Sequence, residues 1–388
     1  MGLAMICAVA AAAAPKVGPV VIDGGHGHVL RLRLISQWLV EGTHPTNEGG
    51  VTPRARLRRL RLVPSGDLAD GAFRYSVQLS FAPRSNELLD LWLEPRIGGP
   101  WRLRIGQYKT PFTRYRIGSF ADLQLVGWSV VTQYFGNERQ IGAMLHHGYR
   151  GGQPVELQIG VFTGQNARRS HGLAAPVLYG QPRPNPSDLS DPSARFAELH
   201  PELVIHAGWS SREFRVSRWD DTDGGSARLH LGASASHDLR PTYGQDATTR
   251  VAGEALLKVR RLSVGAVGYA ATFPTRRETT VWGLLGGLAE ASVRVAERHT
   301  VAVRIARIDV LRFLQNDVAA VRRDDGRLDV ADPDLPIVDR EEELTVGWKG
   351  DLWGDTVQLT IDLHTRHTRT SDAEVGSVGL RGQLQTRL

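Results

Sequence analysis

The stretch that decides the fold is residues 73–81, FRYSVQLSF. Phe73, Tyr75, Val77, Leu79 and Phe81 alternate with Arg74, Ser76, Gln78 and Ser80. Successive strand side chains point to opposite sides, so the apolar five share one face and the polar four the other. Rings stand at both ends of the apolar face, with aliphatic side chains between them. A strand that crosses a bilayer places rings at the two interfaces and aliphatics in the hydrocarbon, and the stretch predicts such a strand.

The same alternation extends along the chain. Leu30, Leu32 and Leu34 oppose Arg31 and Arg33, and Trp101, Leu103 and Ile105 oppose Arg102 and Arg104. Val301, Val303 and Ile305 oppose Ala302, Arg304 and Ala306. Val357, Leu359, Ile361 and Leu363 oppose Gln358, Thr360, Asp362 and His364. Period two predicts strands at 29–40, 54–63, 72–82, 88–95, 101–107, 139–147, 155–163 and 202–210. It predicts eight more at 226–238, 250–260, 262–273, 280–294, 299–310, 340–349, 355–367 and 376–388. Many have the roughly nine to eleven residues that a tilted spanning strand needs, where ordinary strands centre on about five or six.

The connections give a second test. Those at 97–100, 148–154, 260–262, 295–298 and 350–354 are short, whereas 108–138, 164–201 and 311–339 are long and fall on the opposite rim. Only 211–225 departs from this segregation. The predicted fold is therefore all-β: a sixteen-stranded antiparallel transmembrane barrel with short periplasmic turns and long outer loops.

Composition agrees and excludes other classes. No run reaches the roughly 18 to 20 apolar residues of a transmembrane helix. One cysteine, Cys7, leaves no disulfide framework and no paired-cysteine metal site. Residues 2–14, GLAMICAVAAAAA, read as a signal peptide over 1–14, truncated at its start because no Lys or Arg precedes the core. Residues 15–388 then form a single outer-membrane barrel, in the envelope of a Gram-negative bacterium.

Of 47 basic residues only four are lysines (Lys16, Lys109, Lys258 and Lys349), so 47 − 4 = 43 are arginines, and the net charge is +6. The alternation places arginine opposite the apolar face in strand after strand. In RARLRRLRL (54–62), Arg54, Arg56 and Arg58 share a face, with a phase slip near Arg59. With the apolar face toward lipid, Arg54, Arg56, Arg58, Arg102, Arg104 and Arg304 line the lumen. Fixed cations on a low-dielectric wall concentrate anions and repel cations. Acidic side chains that pair with these arginines across the lumen would weaken that field. The arginines are spread around strand faces, with no contiguous patch or interleaved aromatics, which excludes nucleic acid as a partner.

Other constellations carry less. His26 and His28 in DGGHGH have no third ligand nearby and read as part of a mobile N-terminal stretch. His146 and His147 fall on opposite faces, and His364 and His367 are spaced for a helix rather than a strand. RRDDGRLDVADPD (322–334) lacks the spacing of a calcium loop. No GxSxG, HExxH, P-loop or dinucleotide fingerprint is present, so no catalytic residue, metal site or cofactor is predicted.

Residues 54–166 resemble the phosphate-selective porins O and P of Gram-negative outer membranes. The segments that carry the resemblance are RARLRRLRL (54–62), FRYSVQLSF (73–81), NELLDLWLEP (86–95), LRIGQYKTPF (103–112), NERQIGAMLHHG (137–148) and ELQIGVFTGQN (156–166). Most specific are Gly106, Gln107, Tyr108, Lys109, Pro111 and Phe112, followed after a loop by Arg139, Ile141 and Gly142. The resemblance implies a barrel, usually a homotrimer, that passes inorganic phosphate, polyphosphate or other small anions passively. It implies that the third outer loop, here 108–138, folds into the lumen as a constriction. Lys109, Arg114 and Arg116 enter that loop and Arg139 leaves it, which makes them the candidate anion-binding residues; pairing of Lys109 and Arg139 with Asp122 or Glu138 is the alternative. The apolar positions Leu123, Leu125, Val126, Trp128, Val130 and Val131 suit packing against the inner wall or a neighbouring subunit. Family members commonly close on an aromatic residue, and this chain closes on Leu388.

The sequence thus predicts a passive anion channel, with phosphate as its preferred class. A general or differently selective pore, a plugged barrel enzyme or adhesin, and a soluble secreted β-rich binding protein stay open as alternatives.

Overall fold

The computed structural model describes residues 18–46, 49–82, 85–136, 139–148, 154–164, 201–211, 225–241, 247–274, 279–314, 338–354, 356–370 and 373–388. The segment read as a signal peptide lies outside them, as do most of 164–201, 211–225 and 311–339. The strands are β1 (Val20–Asp23), β2 (Val29–Pro45), β3 (Thr52–Leu68), β4 (Phe73–Ala82), β5 (Ser85–Gly98), β6 (Trp101–Lys109), β7 (Arg139–His147), β8 (Val155–Phe162) and β9 (Glu202–Ser210). They continue with β10 (Arg228–Asp238), β11 (Thr249–Val259), β12 (Leu262–Pro274), β13 (Thr280–Ala296), β14 (His299–Val310), β15 (Val338–Trp353), β16 (Val357–Thr370) and β17 (Glu374–Arg387).

From β2 to β17 every strand pairs antiparallel with its neighbour, and β17 returns to β2 through Arg387↔Ile35 to Ser377↔Pro45. The result is a closed sixteen-stranded barrel. Closure matters because an open edge cannot satisfy its backbone groups in hydrocarbon. All sixteen predicted strands are present, several extended by a few residues at their ends. The short β1 is additional and pairs with the inner half of β2, from Val20↔Leu32 to Asp23↔Val29.

That pairing corrects one expectation. The glycine-rich stretch at His26 and His28 is a hairpin turn closed by Gly24 N–H to His28 O (2.9 Å) and His28 N–H to Gly25 O (3.0 Å), not a mobile segment. No group of three potential metal ligands stands together among the described residues.

The two faces separate as the alternation requires. On β14, Val301, Val303 and Ile305 are exposed to the outside, while Ala302, Arg304, Ala306 and Ile308 are buried inside. Among the described residues no helix is long and apolar enough to cross a membrane; the strands do so. Between β6 and β7 the chain makes two short helices, α1 (Arg114–Ile117) and α2 (Val130–Phe135), with a 3₁₀ turn at Phe120–Asp122.

The slip near Arg59 is a β-bulge. Gln37 pairs with Arg59 and Trp38 with Leu57, so Arg58 is the extra residue. A bulge shifts the phase of alternation by one. Arg54 and Arg56 face inward before it, opposite Glu41 and Leu39, and Arg59 and Arg61 face inward after it, opposite Gln37 and Ile35.

Candidate functional site

The segment between β6 and β7 lies inside the barrel, and its sequence explains why. Phe112, Tyr115, Phe120, Leu123, Trp128, Val130, Val131 and Phe135 form one cluster with inward-facing Leu256, Val267, Tyr269, Phe273, Leu288 and Ile308 of β11 to β14. Without the loop, that apolar wall would face water. Each large side chain so buried contributes about 1.5–3 kcal/mol. Tyr269 stacks on Phe135 with ring centroids 5.1 Å apart.

Polar clasps fix the loop's position. Ser129 caps α2, its Oγ accepting Thr132 N–H (3.1 Å), and the free Val130 N–H donates to Glu343 of β15 (3.0 Å). Asp362 of β16 accepts Val126 N–H (2.8 Å), and both oxygens of Glu254 accept Arg114 N–H (3.0 Å each). Cations hold the loop's carbonyls: Lys349 donates to Leu123 O (3.1 Å), Arg304 to Gly127 O (2.8 Å) and Arg58 to Val126 O.

The run LRIGQYK (103–109) builds the loop's starting point. Gly106 has φ +130°, and a Cβ there would collide with Leu91 O. Leu89 is the extra residue of a bulge in β5, and Gln107 donates its side-chain amide to the carbonyls of Leu88 (2.7 Å) and Leu89 (2.8 Å) beside it. Lys109 Nζ then donates to Arg116 O (3.1 Å) and Gly118 O (2.8 Å), which ties the end of β6 to α1.

Opposite the apolar wall, cations gather. The guanidinium carbons of Arg59 and Arg61 lie 4.9 and 4.5 Å from the centre of the Phe120 ring. Lys109 Nζ and the Arg116 guanidinium lie 5.5 and 5.3 Å from that of Trp128. Arg59 has Arg58, Arg61, Arg116 and Arg139 as electrostatic neighbours, and Lys109 has Arg61, Arg116 and Arg139. The carboxylates in range are Asp90, bonded to Arg139 Nε at 2.5 Å, and Glu87 at the edge. Burial first, and Arg139 second, push the Arg116 guanidinium down to about 10, which leaves it cationic at neutral pH. Arg61 Nε is buried with no hydrogen-bond partner among the described residues.

The profile of the phosphate-selective porin O and P family matches residues 36–292, well over half of the chain. The chain belongs to that family. It is an outer-membrane channel. Direct comparison with curated protein sequences gives no match. Among solved structures, OprB of Pseudomonas putida at high pH is similar with a TM-score of 0.63 at 12% identity, covering 92% of this chain and 94% of the other. The outer-membrane channel DcaP of Acinetobacter baumannii gives 0.59 at 10% identity, covering 95% and 100%. An anion-selective porin from Comamonas acidovorans gives 0.58 at 10% identity, covering 93% and 100%. These likenesses concern the fold.

Within the porin, the sequence-predicted residues fall into distinct settings. Lys109, Arg116 and Arg139 stand in the cationic cluster. Their bracing differs from the alternative pairing with Asp122: Arg139 bonds Asp90 and Gln78, Lys109 bonds loop carbonyls, and Asp122 pairs with Arg387 of β17 at 2.8 Å. Glu138 lies outside the described residues. Arg114 points away from the cluster to Glu156 of β8; burial lowers it to about 10. Arg54 and Arg56 are exposed at the outer end of β3, with Arg56 3.1 Å from Glu41. Arg102 and Arg104 converge on Glu94, which also contacts His146 (3.0 Å). Arg304 is buried under the loop between Glu343 (2.7 Å) and Glu290 (3.6 Å).

Two members of the cluster, Arg59 and Arg61, were missing from the sequence-based set. The phase slip was their signal, because continuing the alternation beyond it turns both inward.

Proposed function

We propose that this porin passes small anions, with phosphate and polyphosphate its preferred class, through a neck lined by Arg59, Arg61, Lys109, Arg116 and Arg139. The observation that carries the proposal is the excess of positive charge there: five cations with Asp90 and Glu87 as the carboxylates in range. Elsewhere on the inner wall, described arginines stand against acids, as at Arg104–Glu94, Arg250–Glu202, Arg304–Glu343 and Arg381–Asp362. A paired arginine contributes little long-range field, so selectivity concentrates where the pairing fails. Guanidinium forks match the oxygens of phosphate, and the Arg61 Nε without a partner is a donor ready for one. The passage is passive diffusion, and in the same reading the channel is a homotrimer, as the family resemblance implies.

The test is reversal potential and single-channel conductance in planar bilayers under a chloride gradient, with phosphate titrated in. Anion selectivity with chloride current blocked by phosphate supports the reading. Cation selectivity refutes it, and anion current insensitive to phosphate refutes the phosphate preference alone.

A further inference from the structure

The barrel closes on the one pair of neighbouring strands that no connection joins. Every other neighbouring pair is linked through its own turn or loop, and in a hairpin the turn fixes the register. β17 and β2 instead meet across a long separation, 350 residues between Ser36 and Thr386.

Alternation does not by itself hold their register. A slide of β17 by two residues toward the inner rim keeps every side chain on its own face. Leu380 would then stand opposite Val40 instead of Gly42, Gly382 opposite Trp38 instead of Val40, and Gln383 opposite Gln37 instead of Leu39. Apolar still meets apolar and polar still meets polar. Residues 33–43 of β2 would be paired in place of 35–45, so the ladder loses no length. The side-chain bonds Ser36–Thr386 (2.8 Å) and Gln37–Gln385 (2.6 Å) favour the native pairing, but Gln383 could replace Gln385 against Gln37.

Such a slide would misplace the neck. Two residues of strand span about 6.6–6.8 Å. Gln385 donates to Ala121 O (3.1 Å) and Arg387 bonds Asp122 Oδ1 (2.8 Å), so β17 holds the loop beside Phe120, on which Arg59 and Arg61 rest. Stagger, tilt and diameter are also linked in a closed barrel, so a slipped seam changes the bore.

What bars the slide is β1. It pairs with Leu32 to Val29 on the same edge of β2 that β17 uses, since β3 holds the other edge from Val29 to Thr43. The two strands lie end to end there. Leu388 and Leu34 exchange both backbone hydrogen bonds (2.8 and 2.9 Å), Val20 stands opposite Leu32, and only Arg33 separates the two contacts. A slide of two residues would bring Leu388 opposite Leu32, the place Val20 holds. All four residues of β1 are exposed, so the strand adds nothing to a core, and what it contributes is occupancy of that edge. It is also braced. Hydrogen bonds at Gly24 and His28 close its turn into β2, and a Cβ at Gly27 would collide with Asp70 of the β3–β4 turn, so the two turns are in direct contact.

We propose that β1 is a register stop for barrel closure. By occupying the inner end of β2's edge it fixes where β17 docks, and so where Phe120 stands against Arg59 and Arg61. The proposal concerns how the barrel closes and not which ion passes, so it stands or falls independently of phosphate preference.

Disulfide formation across the seam tests it, in the full chain assembled in the outer membrane on a Cys7→Ser background. Ser36→Cys/Thr386→Cys reports the native register, in which the two hydroxyl oxygens lie 2.8 Å apart. Leu34→Cys/Thr386→Cys reports the slipped one. In the native register those positions are diagonal neighbours, with Cα atoms roughly 7–8 Å apart and out of disulfide reach. With β1 intact, the second pair is expected to cross-link at less than about a tenth of the yield of the first. Val21→Pro/Ile22→Pro keeps β1 from pairing and is expected to raise the slipped cross-link about tenfold at the expense of the native one. Slipped cross-linking at native yield with β1 intact overturns the proposal, and so does purely native cross-linking in the proline variant. Should the proline variant fail to fold, Gly27→Ala keeps β1 but forces its turn off Asp70; slipped cross-linking no higher there than in the parent also overturns the proposal.

Discussion

Arg61 and Arg304 are the same residue type, both face inward, and both touch the loop, yet replacing each by methionine should have opposite consequences. Arg304 donates to Glu343 Oε1 twice (2.7 and 3.1 Å), to Gly127 O (2.8 Å) and to Tyr115 OH (3.2 Å), with Glu290 3.6 Å away. Arg304→Met leaves two buried carboxylates without their cation, which costs about 3–5 kcal/mol. That cost falls on docking, since Tyr115 and Gly127 belong to the loop, and it shifts the docked-to-undocked ratio by a factor of roughly 10² to 5 × 10³. Arg61 has no ion-pair partner among the described residues and rests on Phe120. Arg61→Met loses about 0.5–1 kcal/mol of cation–π contact. Its charge acts on the passing ion instead. At a distance of about 8 Å that is worth about 0.5 kcal/mol in bulk-like water and about 2 kcal/mol at an effective dielectric constant near 20. The permeability to a monovalent anion should therefore fall roughly 2- to 30-fold, with that to a cation rising in the same measure. Reversal potentials under a tenfold chloride gradient read the second effect, and open-channel noise with protease sensitivity of the loop reads the first. Arg304→Met should give a noisy channel with a cleavable loop and near-native selectivity while the loop is docked. Arg61→Met should give a quiet channel of reduced selectivity. Equal shifts of reversal potential in the two variants, with the loop intact in both, would refute the division of labour.

Two further substitutions test the framework of the site. Gly106→Ala forces a side chain into a left-handed backbone (φ +130°) against Leu91 O, so the yield of heat-modifiable folded barrel should drop sharply, whereas Gly253→Ala, where a Cβ meets nothing within 4 Å, should fold as the wild type does. Ser129→Ala removes the cap of α2, worth about 1 kcal/mol, and should raise the protease sensitivity of the loop about fivefold with no change in reversal potential.

The barrel is legible in the sequence because lipid and lumen impose one period on every strand. Phe73 to Phe81 and Val301 to Ile305 show their faces without any knowledge of neighbours, and loop length marks which rim is which. The loop's burial is half legible: an apolar run from Leu123 to Val131 between two spanning strands requires cover, but its cover comes from Tyr269, Leu288 and Ile308, far along the chain. The electrostatics are the least legible. Arg304 is neutralised by a glutamate 39 residues away and Arg114 by one on β8, while Arg139 is held by Asp90 two strands back in a cluster that keeps more cations than acids, and no local pattern encodes such partners. The six arginines chosen on alternation and the four cations chosen from their place at the loop therefore mix structural braces with candidate selectivity residues.

What separates the two groups is position relative to the acids, and a single irregularity does much of the sorting. A regular strand would have carried Arg59 to the lipid face, at a cost of about 2–4 kcal/mol near the midplane. The bulge at Arg58 turns it inward and brings Arg61 with it, onto a stretch of wall where β2 offers Gln37 and Ile35 opposite them rather than acids. Opposite Arg54, before the bulge, the same strand offers Glu41. The surplus of positive charge thus begins where the periodicity breaks. Phe120 and Trp128 then supply what acids do elsewhere on the wall: a surface that holds guanidinium and ammonium groups in place without cancelling their charge. A channel that must attract anions without trapping them needs cations held in that way, because a carboxylate partner would quench the field and a free arginine would bind the ion too flexibly to guide it.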